Sequence, residues 1–181
     1  MIDVFSKGVQ QDIAHVLNNR DARVLEQKQL LSQVKSNQSL VSAKLNIPGP
    51  IKNNYYLTDF FQKGLNILLQ GMKVDYRLLW DVSTGPEAFL IVAGKAKDVK
   101  KVAIEFEDSN EFGRLFDIDV LVVDNGVIRP LSRQEFAQPE RKCLMCDKPA
   151  KVCARSRTHS VETMQAYINK LINKNLEILW N

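Results

Sequence analysis

The stretch from Leu115 to Val123 is the most strand-like in the chain, and Asn125-Gly126 follows it at once. An Asn-Gly pair suits the two left-handed positions of a tight hairpin turn, so the strand is expected to double back through Val127 and Ile128. The pattern upstream extends the sheet. Leu40 to Ile47 reads as a strand stopped by Pro48-Gly49-Pro50, which cannot continue a ladder. Lys73 to Asp81 alternates, with Val74, Tyr76, Leu78 and Trp80 on one face and Asp75, Arg77 and Asp81 on the other. Ala88 to Ala93 is continuously apolar, as for a strand covered on both faces. Helical stripes fall between these runs: Leu57, Phe60, Phe61, Gly64 and Leu68, closed by Gly71, and then Val99, Val102, Ala103 and Phe106. The expected fold is therefore α+β (mixed α/β), a β-α-β-β-α-β core sheet plus a hairpin strand.

Helices are expected at both ends. Val9, Ile13, Val16 and Leu17 share a face, Asn18-Asn19 interrupts, and Val24, Leu31 and Val34 resume, which predicts two short helical stretches within residues 1–36. Residues 160–181 carry a stripe of Val161, Met164, Ile168, Leu171, Ile172 and Leu179, with Ser160 as N-cap. At 181 residues the chain suits one domain. Its expected parts are the N-terminal helices (1–36), an α/β core (40–128), an aperiodic segment (129–159) and the C-terminal helix (160–181). No apolar run is long enough to span a bilayer, and Asp3 stands where a signal peptide would carry basic residues. The three cysteines cannot pair fully and all lie between Cys143 and Cys153, which points to a reducing compartment and a cytoplasmic protein.

The octapeptide Gly113-Arg114-Leu115-Phe116-Asp117-Ile118-Asp119-Val120 carries the first chemistry. Alternation on a strand puts Asp117 and Asp119 on one face, with Ile118, Val120 and Val122 on the other. Two carboxylates about 7 Å apart along a strand repel each other, and a divalent cation removes that penalty. Mg²⁺ characteristically takes one or two carboxylates plus substrate phosphates. The alternative is an open strand face with two solvated acids, but Leu121 and Val123 continue the same face as if it were covered. Arg114 could reach phosphate oxygens near such a metal, and Gly113 could admit a close backbone approach, though a turn glycine is the plainer role. Glu105, Glu107 and Asp108 could supply a third carboxylate; at a helix C-terminus they require a positive partner.

The second candidate is Cys143-x2-Cys146-x6-Cys153-x5-His159. Three thiolates and one imidazole make a tetrahedral structural zinc set, and an aperiodic stretch would gain order from the metal. The alternative is three reduced thiols beside a helix start. From Arg129 to His159 there are eight Lys or Arg against three acids, a local +5 that exceeds the +4 of the whole chain. Such an excess attracts phosphate-rich ligands or an acidic protein, or is simply a solvated loop. Arg20, Arg23 and Lys52 could bind phosphates at a site formed between elements, although each read singly is more often a surface or turn residue. No GxxxxGK or GxGxxG string occurs, and with only His15 and His159 there is no Ser/His/Asp set. P-loop kinases and dehydrogenases of the common type are excluded.

Pro48-Gly49-Pro50-Ile51-Lys52, the Gly113–Val120 octapeptide, Cys143-Leu144-Met145-Cys146, Val152-Cys153-Ala154-Arg155 and Thr158-His159, in that order, resemble the citrate lyase holo-acyl-carrier-protein synthase family, also called apo-citrate lyase phosphoribosyl-dephospho-CoA transferase. The likeness runs from about Arg20 to the last helix. It implies a nucleotidyltransferase-type reaction: a serine of the apo acyl-carrier subunit attacks the α-phosphorus of triphosphoribosyl-dephospho-CoA, a phosphodiester forms and pyrophosphate leaves. Asp117 and Asp119 would hold Mg²⁺, and Arg114 would clamp the polyphosphate. Arg155 and Arg157 are assigned to the donor, and Arg141 and Lys142 to the carrier. Many nucleotidyltransferases carry a Gly-Ser helix further upstream of the paired aspartates than Gly113 stands here, so that superfamily's third acid is not carried over. Two rivals remain: a metal-dependent phosphohydrolase using the same aspartates, and a zinc-ordered RNA-binding module. The second would call for aromatics among the basic residues, and the segment has only Phe136.

Overall fold

The protein is described by a computed structural model covering residues 2–109 and 111–180. The side chains of residues 176–180, and with them the Leu179 end of the last stripe, lie outside that description. The strands are β1 (Gln38–Leu45), β2 (Val74–Val82), β3 (Gly85–Ala93), β4 (Phe116–Asp124) and β5 (Val127–Pro130). They form one antiparallel sheet in the order β2-β3-β1-β4-β5. The helices are α1 (Ile13–Leu31), α2 (Tyr55–Leu69), α3 (Ala96–Ser109), α4 (Ala150–Arg155) and α5 (Val161–Trp180). From β1 to β4 the observed order is β-α-β-β-α-β, with β5 added by the hairpin. Asn125 (φ 49°) and Gly126 (φ 79°) make the expected turn.

The two faces of the sheet are dressed differently. Val41, Ala43 and Leu45 of β1, Ala88, Leu90 and Val92 of β3, and Phe116, Ile118 and Val120 of β4 form the larger core with α2, α3 and α5. Phe116 sits at its centre, its ring centroid 5.5 Å from that of Phe61, 6.0 Å from Phe60 and 5.2 Å from Phe106. Gly64 of α2 makes that placement possible: a Cβ there would lie 2.4 Å from Phe116 Cζ. Gly64→Ala should therefore destabilise by about 1–2 kcal/mol in denaturant titration, because overpacking outweighs the roughly 1 kcal/mol that Ala gains in a helix interior. A more stable variant would mean that the ring yields freely.

The opposite face is covered by α1, a single helix rather than the two short ones expected. Its outward residues Val16, Leu17 and Val24 are 37%, 48% and 52% exposed. The apolar stripe of the sequence therefore points to solvent, and a largely polar edge meets the sheet. Leu30 alone of α1 is fully buried, closing a small cluster with Leu40, Phe89, Ile91 and Leu121. One turn earlier Gln27 Nε2 donates to Ser42 Oγ at 3.0 Å. Earlier again, Arg23 and Asn19 reach Glu87 of β3. Asn19, which looks like a helix break in sequence, is a sheet-facing contact. Leu121 is covered as expected, but Val123 on the same face is exposed.

Candidate active site

The polar end of the α1 face holds Asp117 and Asp119. Strand register pairs Asp117 with Lys44 and Lys44 with Glu87, while Asp119 lies opposite Ser42. Both aspartates point to one face, as alternation requires, and both are half-buried. Their surroundings differ. Burial opposes ionisation of Asp117, but the Lys44 ammonium in contact with it, helped by Arg141 and Lys100, holds its carboxyl below the usual range. Burial and the neighbouring Asp117 charge instead push Asp119 up. Among the described residues no side chain hydrogen-bonds or ion-pairs with Asp119.

The first half of β4 has a free edge beyond the end of β5, and buried side chains take the place of a strand there. Lys100 Nζ donates to the Ile118 carbonyl at 2.8 Å, and Glu107 Oε1 accepts from the Ile118 N–H at 3.1 Å. Lys100 is 5% and Glu107 3% exposed. Burial raises the Glu107 carboxyl, against the pull of Arg141 and Lys100. Arg133 contacts Glu107 at 3.4 Å and Asp108 at 2.6 Å, so the acids at the end of α3 have the positive partners their position demands. Arg141 donates to the carbonyls of Phe116 (2.9 Å) and Arg114 (2.7 Å), with its guanidinium 3.9 Å from Asp117 and 3.7 Å from Glu107. Arg114 in turn donates to the Cys143 carbonyl at 2.7 Å.

That last contact ties the turn that precedes β4 to the cysteine segment. One ligand atom from each of Cys143, Cys146, Cys153 and His159 lies within 4.8 Å of all the others, an arrangement that could hold a metal ion. His159 Nε2 stands 3.4 Å from Cys146 Sγ, and the Met145 N–H donates to Cys143 Sγ at 3.5 Å. Burial raises the Cys143 thiol, but hydrogen bonds led by that N–H outweigh it and leave the pKa below its ordinary value. Tetrahedral zinc with Zn–S of about 2.3 Å needs sulfurs roughly 3.8 Å apart, so these side chains fit with small adjustments. Mg²⁺, which prefers oxygen, does not suit this set.

Between β4 and residues 130–164 lies a cleft of about 910 Å³. Arg114, Asp117, Asp119, Arg157, Cys143, Cys153 and His159 all line it. Other residues picked from sequence stand elsewhere. Arg23 is engaged with Glu87, and Lys52 donates to the Ile47 carbonyl at 2.6 Å. Arg20 and Arg155 are exposed, and Gly113 is buried in the 3₁₀ turn Phe112–Leu115. Of the acids raised as a third carboxylate, Glu105 is exposed and Glu107 lines the cleft. Lys44, Glu87 and Lys100 were not anticipated. For Lys44 the signal is a charge among the apolar positions of a strand, and for Lys100 its place on the helical stripe of Ala103 and Ile104; Glu87, directly after Gly85-Pro86, carries no clear one.

A family model described as apo-citrate lyase phosphoribosyl-dephospho-CoA transferase matches residues 11–175. A "probable apo-citrate lyase phosphoribosyl-dephospho-CoA transferase" of Streptococcus pyogenes serotype M18 is 39% identical over 174 residues, covering 94% of this chain and 90% of that one. The apo-citrate lyase phosphoribosyl-dephospho-CoA transferase of Escherichia coli O1:K1 / APEC is 34% identical over 166 residues, 89% of this chain and 88% of the relative. A longer protein, "Protein CitXG" of Leuconostoc mesenteroides subsp. cremoris, is 37% identical over 177 residues, 95% of this chain but only 37% of its own length.

Proposed function

The chain belongs to the apo-citrate lyase phosphoribosyl-dephospho-CoA transferase family, and from that premise we propose that the cleft beside β4 is where it works. The protein is an enzyme that transfers the phosphoribosyl-dephospho-CoA group to apo-citrate lyase, with the acyl-carrier protein and the dephospho-CoA precursor as substrates. The donor is triphosphoribosyl-dephospho-CoA, the acceptor a serine of the carrier subunit, and residues 1–181 act as one transferase unit in the cytoplasm. No helix of the described residues is long and apolar enough to cross a membrane.

In this reading the carrier serine oxygen bonds to the donor's α-phosphorus as the bond to the β-phosphate breaks; pyrophosphate departs and the serine proton is lost to solvent or a base. Mg²⁺ held by Asp117 and Asp119 supplies neutralisation of the triphosphate and of the leaving group. Half-buried acids sharing a face, one of them with no hydrogen-bond or ion-pair partner among the described residues, suit that ion. Arg141 and Lys100 set the position of β4 beneath the phosphates, and Arg157 faces the same space. The Cys3His group holds a structural zinc and fixes the opposite wall. The observation that carries the reading is the pair of aspartates opening onto a basic cleft in a chain of this family. The test is mass spectrometry of apo-carrier subunit incubated with this protein, the triphosphoribosyl donor and Mg²⁺. A gain equal to the phosphoribosyl-dephospho-CoA group is expected; an unmodified carrier would overturn it.

The basic segment divides by position. Arg157 and Lys142 both line the cleft, Lys142 also pairing with Asp147, whereas Arg155 is exposed and does not line it. Arg157→Ala should raise the KM for the donor and leave the KM for the carrier unchanged. Arg155→Ala and Lys142→Ala should raise the KM for the acidic carrier, an effect that fades as salt screens it. Equal effects on both substrates from all three would remove the division.

A further inference from the structure

Of Arg23, Lys44, Lys52, Lys100 and Arg141, the cations described around the aspartate face, Lys44 alone bonds to nothing but an aspartate among the described residues. Arg23 is held by Glu87 at 2.5 and 2.7 Å, and Asn19 adds a bond to the same carboxylate at 2.6 Å. Glu87, 1% exposed, is thereby satisfied and leaves nothing for Lys44 beside it. Arg141 is fixed by two backbone carbonyls, Lys100 by Ile118 and Lys52 by Ile47. Lys44, by contrast, bonds only to Asp117 Oδ2 among the described residues, and its side chain is 29% exposed. An ammonium on a four-carbon stem is a mobile point charge.

From this asymmetry we propose that Lys44 is a resident counter-ion: it neutralises Asp117 in the empty enzyme and passes to the donor's phosphates when the metal-bound triphosphate arrives. The inference rests on the reading of Asp117 and Asp119 as metal ligands. A divalent cation entering alone must take its place beside the Lys44 ammonium and compete with it for Asp117. A metal–triphosphate brings several negative charges, which give the displaced ammonium a new partner within its reach. Lys44 thus weakens binding of the free metal and strengthens binding of the metal–polyphosphate. A site of this kind stays vacant until the donor brings its ion.

Mn²⁺ standing in for Mg²⁺ tests this, first alone by electron paramagnetic resonance of the free ion and then by equilibrium dialysis of the preformed Mn²⁺–tripolyphosphate complex. Lys44→Met should bind Mn²⁺ alone about tenfold more tightly than wild type, the order expected for loss of one adjacent, partly screened positive charge. With tripolyphosphate the ranking should invert, and the KM for the donor should rise. Lys44→Arg should keep the wild-type affinity for Mn²⁺ alone. A purely structural role would weaken both kinds of binding together. If Lys44→Met leaves Mn²⁺ affinity unchanged while Asp117→Asn abolishes Mn²⁺–tripolyphosphate binding, the counter-ion role is wrong and the metal site stands. If wild type itself fails to retain Mn²⁺ with tripolyphosphate, the metal site falls and the role of Lys44 with it.

Discussion

Asp117→Asn and Asp119→Asn are each expected to lower transfer by about a thousandfold or more, the scale on which a metal's stabilisation of a phosphoryl-transfer transition state acts. Their effects on stability should have opposite signs at neutral pH. Burial and Asp117 raise the pKa of Asp119. A raised carboxyl contributes stability below its ordinary value and loses it as pH climbs through the folded-state value, so at neutral pH the ionised group opposes folding. Asp119→Asn should therefore melt above wild type at pH 7 in metal-free buffer, with the advantage vanishing at acid pH. For Asp117 burial is outweighed by Lys44 and the net shift is downward. Its stabilisation is present above the ordinary carboxylate value and fades as pH falls, so Asp117→Asn should melt below wild type at pH 7. Thermal unfolding followed by circular dichroism, beside a carrier-modification assay with Mg²⁺, reads both quantities. Near-wild-type transfer by either variant would remove that residue from the metal site, whatever its melting temperature.

The split between these two carboxylates marks where sequence reading stops. Period-two alternation placed them on one face without ambiguity, because a strand allows no other arrangement. The hairpin after β4 was equally legible, since Asn125 and Gly126 both take positive φ. The environment that separates the aspartates comes from β1, about seventy residues away in the chain. Lys44 looks like an ordinary polar interruption until register sets it against Asp117. α1 misled for a related reason. Hydrophobic periodicity assumes that the apolar side of a helix faces the core, and here Asn19, Arg23 and Gln27 form the inward edge because the sheet beneath them is itself polar. Lys100 and Glu107 fall among the buried positions of α3, next to Val99 and Phe106, and a charged residue there is the trace of a backbone edge that needed partners. Arg114 and Arg141 bind carbonyls, and main-chain acceptors leave no mark on sequence.

The metal expected on Cys143, Cys146, Cys153 and His159 bears on that same clasp. Apart from it, the 141–159 segment has few means of ordering itself. Its main-chain pairing amounts to an isolated bridge between Lys142 and Pro149, and α4 has only six residues, too few to be stable alone. Cys143 and Cys153 are its most buried side chains. A structural zinc in such a stretch supplies on the order of 10 kcal/mol of folding free energy, far more than these contacts can offer. Carefully purified protein should therefore carry about one zinc per chain. Stripping it with a chelator, followed by restoring Mg²⁺, should open the segment to proteolysis and abolish transfer. Transfer should return with Co²⁺ or Cd²⁺ as well as zinc, since the ion's task is to hold Cys143 against Arg114 and, through Arg141, to keep the start of β4 in place. Recovery with zinc alone would instead point to a chemical role for the ion. A metal-free protein that resists proteolysis and transfers at the full rate would show that the four side chains meet without a metal.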